Sequence, residues 1–361
     1  MNIFPKKPLL NPLLRRPNAL DSEERDVTKL WLDKNENLDP ILNEINKTIM
    51  NSIPPEVIYT YPEAGKLYRK LGKHLNLDPN MLILTPGSDG AIRLVFDSFV
   101  EQGDLVIHSM PTFAMYPVYS QMFGAIVETV EYFSSNDGIR IDLENFHSMI
   151  LKNRPKLVCL PNPDSPTGTI LTRDQIEKIL KLCERTGTVL LVDEAYHPFY
   201  NSSVIDLANQ SENIIIARTF AKAWGAAGLR LGYAVAHKST IQYLHKLRPM
   251  YEASSIAVEF AFKMLDFNSE MLASVNRILE SKEYFALEME SLGYVVNRTK
   301  GNFIHIKFGS QSEKIHEALS NRVLYRSSFD HPSLKGYSRF SIGTKSMMME
   351  LVSIIKNSVQ T

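Results

Sequence analysis

The stretch KLVCLPNPDSPTGTILTRDQIEKILKLCERTGTVLLVDEAY, residues 156–196, contains one complete β-α-β unit. Two short apolar runs, KLVCL (156–160) and TVLLVDEAY (188–196), have the length and composition of buried strands. Between them apolar residues recur at helical spacing, with Thr172 as the predicted N-cap and Gly187 as the stop. A strand, a helix and a strand in this order predict a parallel sheet with helices on its faces.

The same pattern extends in both directions along the chain. MLILT (81–85) is a predicted strand that runs into PGSDG and the helical pattern AIRLVFDSFV, and NIIIART (213–219) is another strand. Beyond about residue 260 the pattern changes to long helices with a few strands such as NFIHIKF (302–308). The chain is therefore predicted to be an α/β protein in three parts: an N-terminal arm with part of a small domain (1–45), a large domain (46–258) and a small C-terminal domain (259–361).

The charge balance and the apolar content of the chain limit the kinds of partner that it is expected to bind. The 361 residues carry 40 Lys and Arg against 40 Asp and Glu, so charge gives no reason to expect nucleic acid or an anionic membrane as a partner. No apolar run approaches the eighteen or so residues of a membrane span. Four prolines interrupt the basic first eighteen residues, which predicts an extended arm rather than a signal peptide, and a cytoplasmic protein. Cys159 and Cys183 each stand among apolar residues and are predicted to be buried, reduced thiols.

Chemically useful residues follow the predicted strands. In open parallel sheets, ligands bind at the carboxyl ends of the strands. The residues at those ends are Gly87-Ser88-Asp89, Asn162 to Gly168, Asp193 with Tyr196, and Thr219 with Lys222. They combine an anion-binding turn, a polar loop, a carboxylate beside a phenol, and a lysine, so this edge of the sheet is the candidate site.

Lys222 and Asp193 together indicate one cofactor. A lysine three residues past a buried strand can be desolvated, which lowers its pKa and makes its amine able to form a Schiff base. Asp193 follows four apolar residues and needs a partner, which the protonated pyridine nitrogen of pyridoxal phosphate would supply. Taken singly, Lys222 could be a surface lysine and Asp193 a structural acid.

A phosphate group needs backbone N–H groups and cations. Gly87-Ser88-Asp89 opens a helix and offers the amides and a hydroxyl, although such a turn alone is commonly an ordinary helix cap. Thr219 and Arg230 flank Lys222 and would add a hydroxyl and a guanidinium.

With these residues in place, the sequence resembles the fold-type I pyridoxal-phosphate enzymes, the aminotransferase class I/II superfamily. Within it the chain is most similar to the histidinol-phosphate aminotransferase group. The resemblance runs from DKNEN (33–37) to SRFSIGT (338–344), and it rests on motifs in a fixed order: YTYPEAG, TPGSDGAI, PTFAMY, NPDSPTG, VDEAY, RTFAKAWGAAGLRLGY and GNF. It implies an aspartate-aminotransferase-like fold, with a mostly parallel seven-stranded sheet in the large, cofactor-binding domain and a smaller α+β domain.

The resemblance also implies the role of each site residue. Lys222 would bind the cofactor covalently and shuttle a proton, Asp193 would pair with the pyridine nitrogen, and Tyr196 would hydrogen-bond the ring hydroxyl. The other implied cofactor contacts are Ser88, Asp89, Thr219 and Arg230 around the phosphate, Phe113 stacked on the ring, Ser165 at the ring hydroxyl, and Tyr61 reaching the neighbouring subunit's phosphate. The implied substrate contacts are Arg339 at a carboxylate, Arg326 at a phosphate, and Asn302 beside the substrate. A shared site of this kind implies a homodimer.

Three positions depart from the family pattern. Ser165 stands where the family usually has an asparagine that contacts the ring hydroxyl, and the shorter serine could reach that hydroxyl directly or through a bridging water. Ala221 replaces a serine, and Phe113 lacks the hydroxyl of the usual tyrosine. Asn162, in the same loop as Ser165, is predicted to be structural. Arg326 could equally be a plain surface arginine, and Phe113 a core residue.

The resulting prediction is a pyridoxal-phosphate-dependent aminotransferase. Its substrate would be a small, phosphorylated amino or keto compound, with glutamate as the amino donor. A decarboxylase of a phosphorylated amino acid, such as phosphothreonine or phosphoserine, is the alternative, because the same residues serve both reactions. A non-catalytic pyridoxal-phosphate-binding module is a third alternative. No metal site is predicted.

Overall fold

The computed structural model describes residues 5–18, 20, 24–135 and 138–360, and all elements below lie in that part of the chain. The strands are β1 Leu30–Trp31, β2 Leu82–Thr85, β3 Leu105–Met110, β4 Ile126–Ser135, β5 Gly138–Ile141, β6 Leu157–Pro161, β7 Val189–Asp193, β8 Ile214–Thr219, β9 Gly232–Ala236, β10 Val295–Asn297, β11 Phe303–Lys307, β12 Val323–Leu324 and β13 Ser338–Ser341. The α-helices are α1 Pro40–Asn51, α2 Gly65–Leu75, α3 Gly87–Phe99, α4 Met115–Phe123, α5 Leu143–Asn153, α6 Arg173–Thr186, α7 Lys238–Leu247, α8 Ser255–Met264, α9 Asn268–Ser291, α10 Ser312–Ser320 and α11 Lys345–Gln360.

The large sheet has the strand order β2-β9-β8-β7-β6-β3-β4-β5. Strands β8, β7, β6, β3 and β4 run parallel to one another, whereas β9 is antiparallel to both of its neighbours. The predicted α/β class and mostly parallel sheet are therefore confirmed. The predicted count of seven strands is wrong for the described chain, which has eight. The additional strand, β5, pairs antiparallel with β4, and its short sequence GIRI is too polar to be recognised as an apolar run.

Strands β6, β7 and β8 are buried on both faces, which explains their continuous apolar runs. In β6, Val158 and Leu160 belong to one hydrophobic cluster, while Leu157 and Cys159 belong to a second cluster on the other face. This assignment follows from the two-residue period of a strand. Cys159 and Cys183 are both buried and unpaired, as predicted, and they lie in different clusters.

Helix α6 shows how the local sequence sets the element boundaries. The Thr172 side chain accepts from the Gln175 backbone N–H, and the Gln175 side chain accepts in return from the Thr172 backbone N–H. Gly187 ends the helix with φ of 70°, in the left-handed region. The predicted N-cap and stop are both confirmed, and the helix returns the chain to the sheet so that β7 lies beside β6.

A second, antiparallel sheet with the order β10-β11-β13 lies towards the C-terminal end of the chain, beside α9 and α11. Strand β1, from the N-terminal part, pairs in parallel with β12. This pairing brings residues 30–37 to the edge of the second sheet, next to the carboxyl ends of the large sheet. The domain boundaries at 45/46 and 258/259 stay predictions. No helix in the described ranges combines the length and the apolar character needed to cross a membrane.

Candidate active site

A cavity of about 960 Å³ opens at the carboxyl ends of β6, β7 and β8. Its walls come from the large sheet, from residues 33–36 and from the segment that ends in β13. Eleven of the residues predicted to form the site line it: Ser88, Asp89, Phe113, Ser165, Asp193, Tyr196, Thr219, Lys222, Arg230, Arg326 and Arg339. The site predicted from strand-end positions is therefore one continuous space in the structure.

The N-terminus of α3 forms an anion cradle at one end of the cavity. Its first turn, with Ser88 and Asp89, presents backbone N–H groups that have no acceptor inside the helix. The Arg230 guanidinium lies so close to Gly87 that a Cβ there would be 3.0 Å from Nη2. Gly87 also has φ of 75°, which a side chain would strain. The turn therefore brings backbone amides and an arginine together at this end of the cavity, a combination suited to an oxyanion.

Two neighbours keep this cradle favourable for an anion. The Tyr119 hydroxyl donates to Asp89 Oδ1 at 2.9 Å, which engages the one carboxylate of the first turn. Gly232, the first residue of β9, packs directly on Gly87, since a Cβ on Gly232 would lie 2.5 Å from the Gly87 carbonyl carbon. Thr219 lines the cavity beside them, at the end of β8.

Asp193 is a buried carboxylate at the end of β7 with no cation within salt-bridge distance among the described residues. Its pKa is raised to about 7, chiefly by burial and also by the negative charges of Asp89 and Glu194, against the hydrogen bond from the Ala195 backbone N–H. An acid in this position binds a cationic N–H donor that enters the cavity.

Lys222 lies in the loop after β8, and its ammonium donates to the Lys34 carbonyl oxygen at 2.7 Å. Burial and the positive charge of Arg339 lower its pKa to about 8. A larger fraction of this amine is neutral at physiological pH than for an exposed lysine, which suits a nucleophile or a base.

Tyr196 completes this group of polar side chains. Its hydroxyl oxygen accepts from Asn35 Nδ2 at 2.8 Å, and its ring packs edge-on against Phe303 with centroids 5.3 Å apart. Burial raises the pKa of Tyr196, while the charge of Arg339 and the nearby Ser165 hydroxyl act in the opposite direction. Tyr196 is therefore a neutral phenol at physiological pH, able to donate its proton.

The loop 162–168 is held by its own polar side chains. Asn162 exchanges two hydrogen bonds with the Leu171 backbone, at 2.8 and 3.1 Å, so its predicted structural role is confirmed. Asp164 is buried and accepts from the Thr167 backbone N–H and hydroxyl, and burial raises its pKa to about 7. The loop thereby presents Ser165 to the cavity.

Arg339 and Arg326 face each other on neighbouring chain segments. Their backbones exchange two hydrogen bonds, of 3.1 and 2.8 Å, in an antiparallel bridge. The mostly buried Arg339 guanidinium donates to the Asp33 carbonyl at 2.6 Å, while its Nε has no partner in the described chain. Arg326 lies over the Phe329 ring at 4.3 Å. Neither has an acid within salt-bridge distance in the described ranges, so both guanidiniums are available to an anion that enters the cavity.

Two of the predicted site residues, Tyr61 and Asn302, do not line the cavity, whereas Phe113 does. Phe113 lines the wall and packs edge-on against Tyr116 at 6.0 Å. Tyr61 is 75% exposed and stacks on Tyr251 at 4.4 Å, away from this chain's cavity. Asn302, predicted to border the substrate, is instead fully buried behind the wall, where its Nδ2 donates to the Asn35 and Glu36 carbonyls.

Sequence reasoning missed the contribution of residues 33–37. This segment supplies the carbonyl groups that hold Arg339 and Lys222, and the side chain that contacts Tyr196. Arg25 bridges Asp33 at 2.8 Å and Glu36 at 2.6 Å, so one guanidinium partly offsets the charge of two acids in the cavity wall. The family motif DKNEN (33–37) is the signal in the sequence for this segment, and no hydrophobic periodicity connects it to the ends of the strands.

The polar groups match pyridoxal phosphate in kind and in number. The unpaired Asp193 suits its ring nitrogen, the cradle at α3 with Arg230 and Thr219 suits its phosphate, Lys222 suits its aldehyde, and Tyr196 suits its ring hydroxyl. The orphaned buried Nε of Arg339 is a further donor available to an anionic substrate.

Comparisons with known proteins point to the same family as the sequence motifs. The family model described as aminotransferase class I and II matches residues 27–355. The histidinol-phosphate aminotransferase of Thermoanaerobacter pseudethanolicus is 33% identical over 317 residues, covering 87% of this chain and 88% of that protein. The one from Caldanaerobacter subterraneus is 30% identical and covers 91% of this chain and 92% of its own length.

Solved structures show the same fold at lower identity. Histidinol-phosphate aminotransferase from Sinorhizobium meliloti, in complex with pyridoxal-5'-phosphate, has a TM-score of 0.78 at 22% identity and covers 92% of this chain and 91% of its own. L-threonine-O-3-phosphate decarboxylase from Porphyromonas gingivalis has a TM-score of 0.76 at 20% identity and covers 92% and 100%.

Proposed function

Because the chain belongs to the family of class I and II aminotransferases, a pyridoxal-phosphate-dependent enzyme family, we propose that it transfers an amino group to or from a small phosphorylated amino or keto compound. Glutamate is the proposed amino donor. The observation that carries the substrate class is the pair Arg326 and Arg339, two cavity-lining guanidiniums without an acid partner in the described chain. Two like charges side by side are stabilised by an anion with several oxygens, such as a phosphate or a dicarboxylate.

Each of these cavity residues has a role that follows from its position. Bound pyridoxal phosphate supplies an electron sink that makes the proton on the amino-bearing carbon labile. Asp193 would hold the ring nitrogen through a charged hydrogen bond, and Tyr196 would donate to the ring oxygen. Arg339 and Arg326 orient the substrate by its anionic groups. Lys222, with its pKa lowered to about 8, accepts and returns the proton as a general base and acid.

The decarboxylase alternative has weaker support. The threonine-phosphate decarboxylase is 20% identical to this chain and shows the fold alone, whereas the relatives at up to 33% identity are aminotransferases. A non-catalytic binding module receives no support, since the family is one of enzymes.

A homodimer is also part of the proposal. Tyr61 and its stacking partner Tyr251 form an exposed aromatic patch together with Ile58 and Tyr59, which are 71% and 73% exposed. Such a patch on a soluble enzyme fits a protein interface. In the proposed dimer, Tyr61 reaches the cofactor phosphate of the neighbouring subunit, as the family resemblance implies. The cytoplasm stays the proposed location.

The test uses the holoenzyme with histidinol phosphate, phosphothreonine, phosphoserine and glutamate, each with and without 2-oxoglutarate. Conversion of the cofactor to its pyridoxamine form supports amino transfer, whereas CO₂ release without a keto acid refutes it. Arg326→Ala should raise the KM for a phosphorylated substrate by about tenfold or more, as expected for the loss of a charged hydrogen bond. Arg322→Ala, at an exposed arginine outside the cavity, is the matched control and should leave that KM unchanged.

A further inference from the structure

The Asn35 side chain occupies an unusual place for an asparagine at a cavity wall. It is 3% exposed and its backbone has φ of 55°, in the left-handed region that asparagine tolerates better than most residues. Its Nδ2 donates to the Tyr196 hydroxyl oxygen at 2.8 Å. The contact joins the N-terminal segment to the loop after β7, two parts of the chain that are 161 residues apart.

Ser341, in β13, fixes which way the Asn35 amide faces. The Ser341 hydroxyl oxygen accepts from the Asn35 backbone N–H at 2.7 Å, and its proton goes to Asn35 Oδ1 at 2.9 Å. If the amide were turned over, Nδ2 would face a serine whose oxygen already has a donor, and the serine proton would lose its acceptor. The hydrogen-bond network therefore selects Oδ1 for Ser341 and Nδ2 for Tyr196.

The rest of the segment is held just as firmly. Asn302 Nδ2 donates to the Asn35 carbonyl at 3.0 Å, and the Ser341 backbone N–H donates to the Leu32 carbonyl at 2.8 Å. The amide that reaches Tyr196 is thus fixed by backbone as well as side-chain contacts. Its orientation is preorganised before any ligand enters.

We propose that Asn35, oriented by Ser341, is a positioning residue that directs the Tyr196 hydroxyl proton into the cavity. Because Asn35 donates to the Tyr196 oxygen, the phenol proton is not used within the pair and stays available to an acceptor in the cavity. An acceptor at position 35 would have the opposite effect and would take that proton. The inference rests on the proposed function, in which Tyr196 donates to the ring oxygen of the cofactor.

The test titrates the visible absorption band of the holoenzyme with pH, which reports the protonation of the bound cofactor. Loss of the Tyr196 donor disfavours the deprotonated form, so Tyr196→Phe should raise the pKa of this transition by about one unit, a tenfold change in the ratio of the two forms. Asn35→Asp should raise it by a similar amount, and Ser341→Ala by less. Asn213→Ala is the matched control: Asn213 lies outside the cavity, and its Nδ2 donates to the Thr188 carbonyl at 2.8 Å.

Asn35→Asp changes both the direction of the Tyr196 hydroxyl proton and the local charge. A double-mutant cycle with Tyr196→Phe separates these two effects. If Asn35 acts through the tyrosine proton, Asn35→Asp and Ser341→Ala shift the transition little further in the Tyr196→Phe background. Equal shifts in both backgrounds would overturn the inference, as would a control shift as large as that of Ser341→Ala. If Asn35→Asp does not fold, the same comparison is made with Ser341→Ala alone.

The outcomes also distinguish this inference from the proposed function. A shift with Tyr196→Phe but none with Asn35→Asp or Ser341→Ala refutes the positioning role and leaves the function standing. A chain that binds no pyridoxal phosphate, or a Tyr196→Phe variant with an unchanged transition, refutes the tyrosine's proposed role and the inference with it.

Discussion

The buried ion pair between Glu194 and Arg218 offers a quantitative test of the structure behind the site. Glu194 directly follows Asp193, and its side chain is 2% exposed against 8% for Arg218. Its carboxylate accepts from Arg218 Nε and Nη2, at 3.0 and 2.8 Å, and from the Ser203 hydroxyl and the Val204 backbone N–H. The perturbation is Glu194→Gln, which keeps the shape and removes the charge.

The expected loss in the free energy of unfolding follows from the Arg218 charge, which stays buried without its partner. Removing one partner of a buried ion pair leaves the other charge desolvated and uncompensated, which typically costs about 3–5 kcal/mol. The amide oxygen of glutamine still accepts from some donors, so the lower end, about 3 kcal/mol, applies here. Glu44 and Lys47 form an exposed pair, with side chains 72% and 67% accessible, and Glu44→Gln should change stability by no more than about 1 kcal/mol.

The assay is urea unfolding at fixed protein and cofactor concentration, followed by the fluorescence of Trp31 and Trp224. In a second variant, Glu194→Gln is combined with Arg218→Met, which removes the stranded charge. The double variant should cost less than the sum of the single variants by about 2 kcal/mol. A cost for Glu194→Gln no larger than for Glu44→Gln, or additive single effects, would refute the reasoning.

Further predictions concern the cavity and the loop 162–168. Lys222→Ala should abolish covalent attachment of pyridoxal phosphate, measured by mass spectrometry after borohydride reduction; attachment that persists, for instance at Lys34, would contradict the assignment. Since burial lowers the pKa of Lys222 to about 8, attachment to the wild-type chain should accelerate with pH up to a midpoint near 8, and a midpoint near 10.5 would show an ordinary lysine. The pKa of Asp193 is raised from 3.8 to about 7 in the folded, cofactor-free protein, so the folded state binds one more proton than the unfolded state and loses stability as the pH rises from about 4 to 7. Asp193→Asn should show a smaller loss in thermal melting measured across this pH range, and an unchanged profile would contradict the raised pKa. Gly168→Ala, at φ of 72° and with its Cβ overlapping Thr299, should cost about 3 kcal/mol in the same urea assay, from backbone strain and overpacking, and a cost below about 1 kcal/mol would argue against this close contact.

The sequence was most informative where a pattern is local. Strands buried on both faces read as apolar runs, so the sequence places β6 and β8 within one residue at each end, while the predicted β7 runs three residues too far. The caps of α6 follow from Thr172 and Gly187. The residues after those strands could be collected into a site, because the ends of parallel strands lie at one edge of a sheet. The family motifs then added Arg326 and Arg339, which no periodicity connects to that edge.

The remaining features depend on contacts between distant parts of the chain. Asn35 lies 161 residues from Tyr196 and 306 from Ser341, so nothing in its local sequence indicates its partners. A carbonyl group such as that of Lys34 leaves no mark in a sequence at all, although it holds the Lys222 ammonium. Asn302 matched a family position, but whether a buried amide turns towards a ligand or towards a neighbouring backbone is decided by packing.

The segment 33–37 also determines when during synthesis the site can form. Its partners Arg339 and Ser341 are made about 300 residues after it, and the lysine that it holds is made almost 190 residues after it. A nascent chain that has not yet reached residue 341 can assemble β6, β7 and β8, but it has nothing to fix Asn35 against Tyr196. The cofactor-facing wall is therefore completed after translation has passed both sheets, and a ribosome-bound chain stalled before β13 should have the strand ends without a finished site.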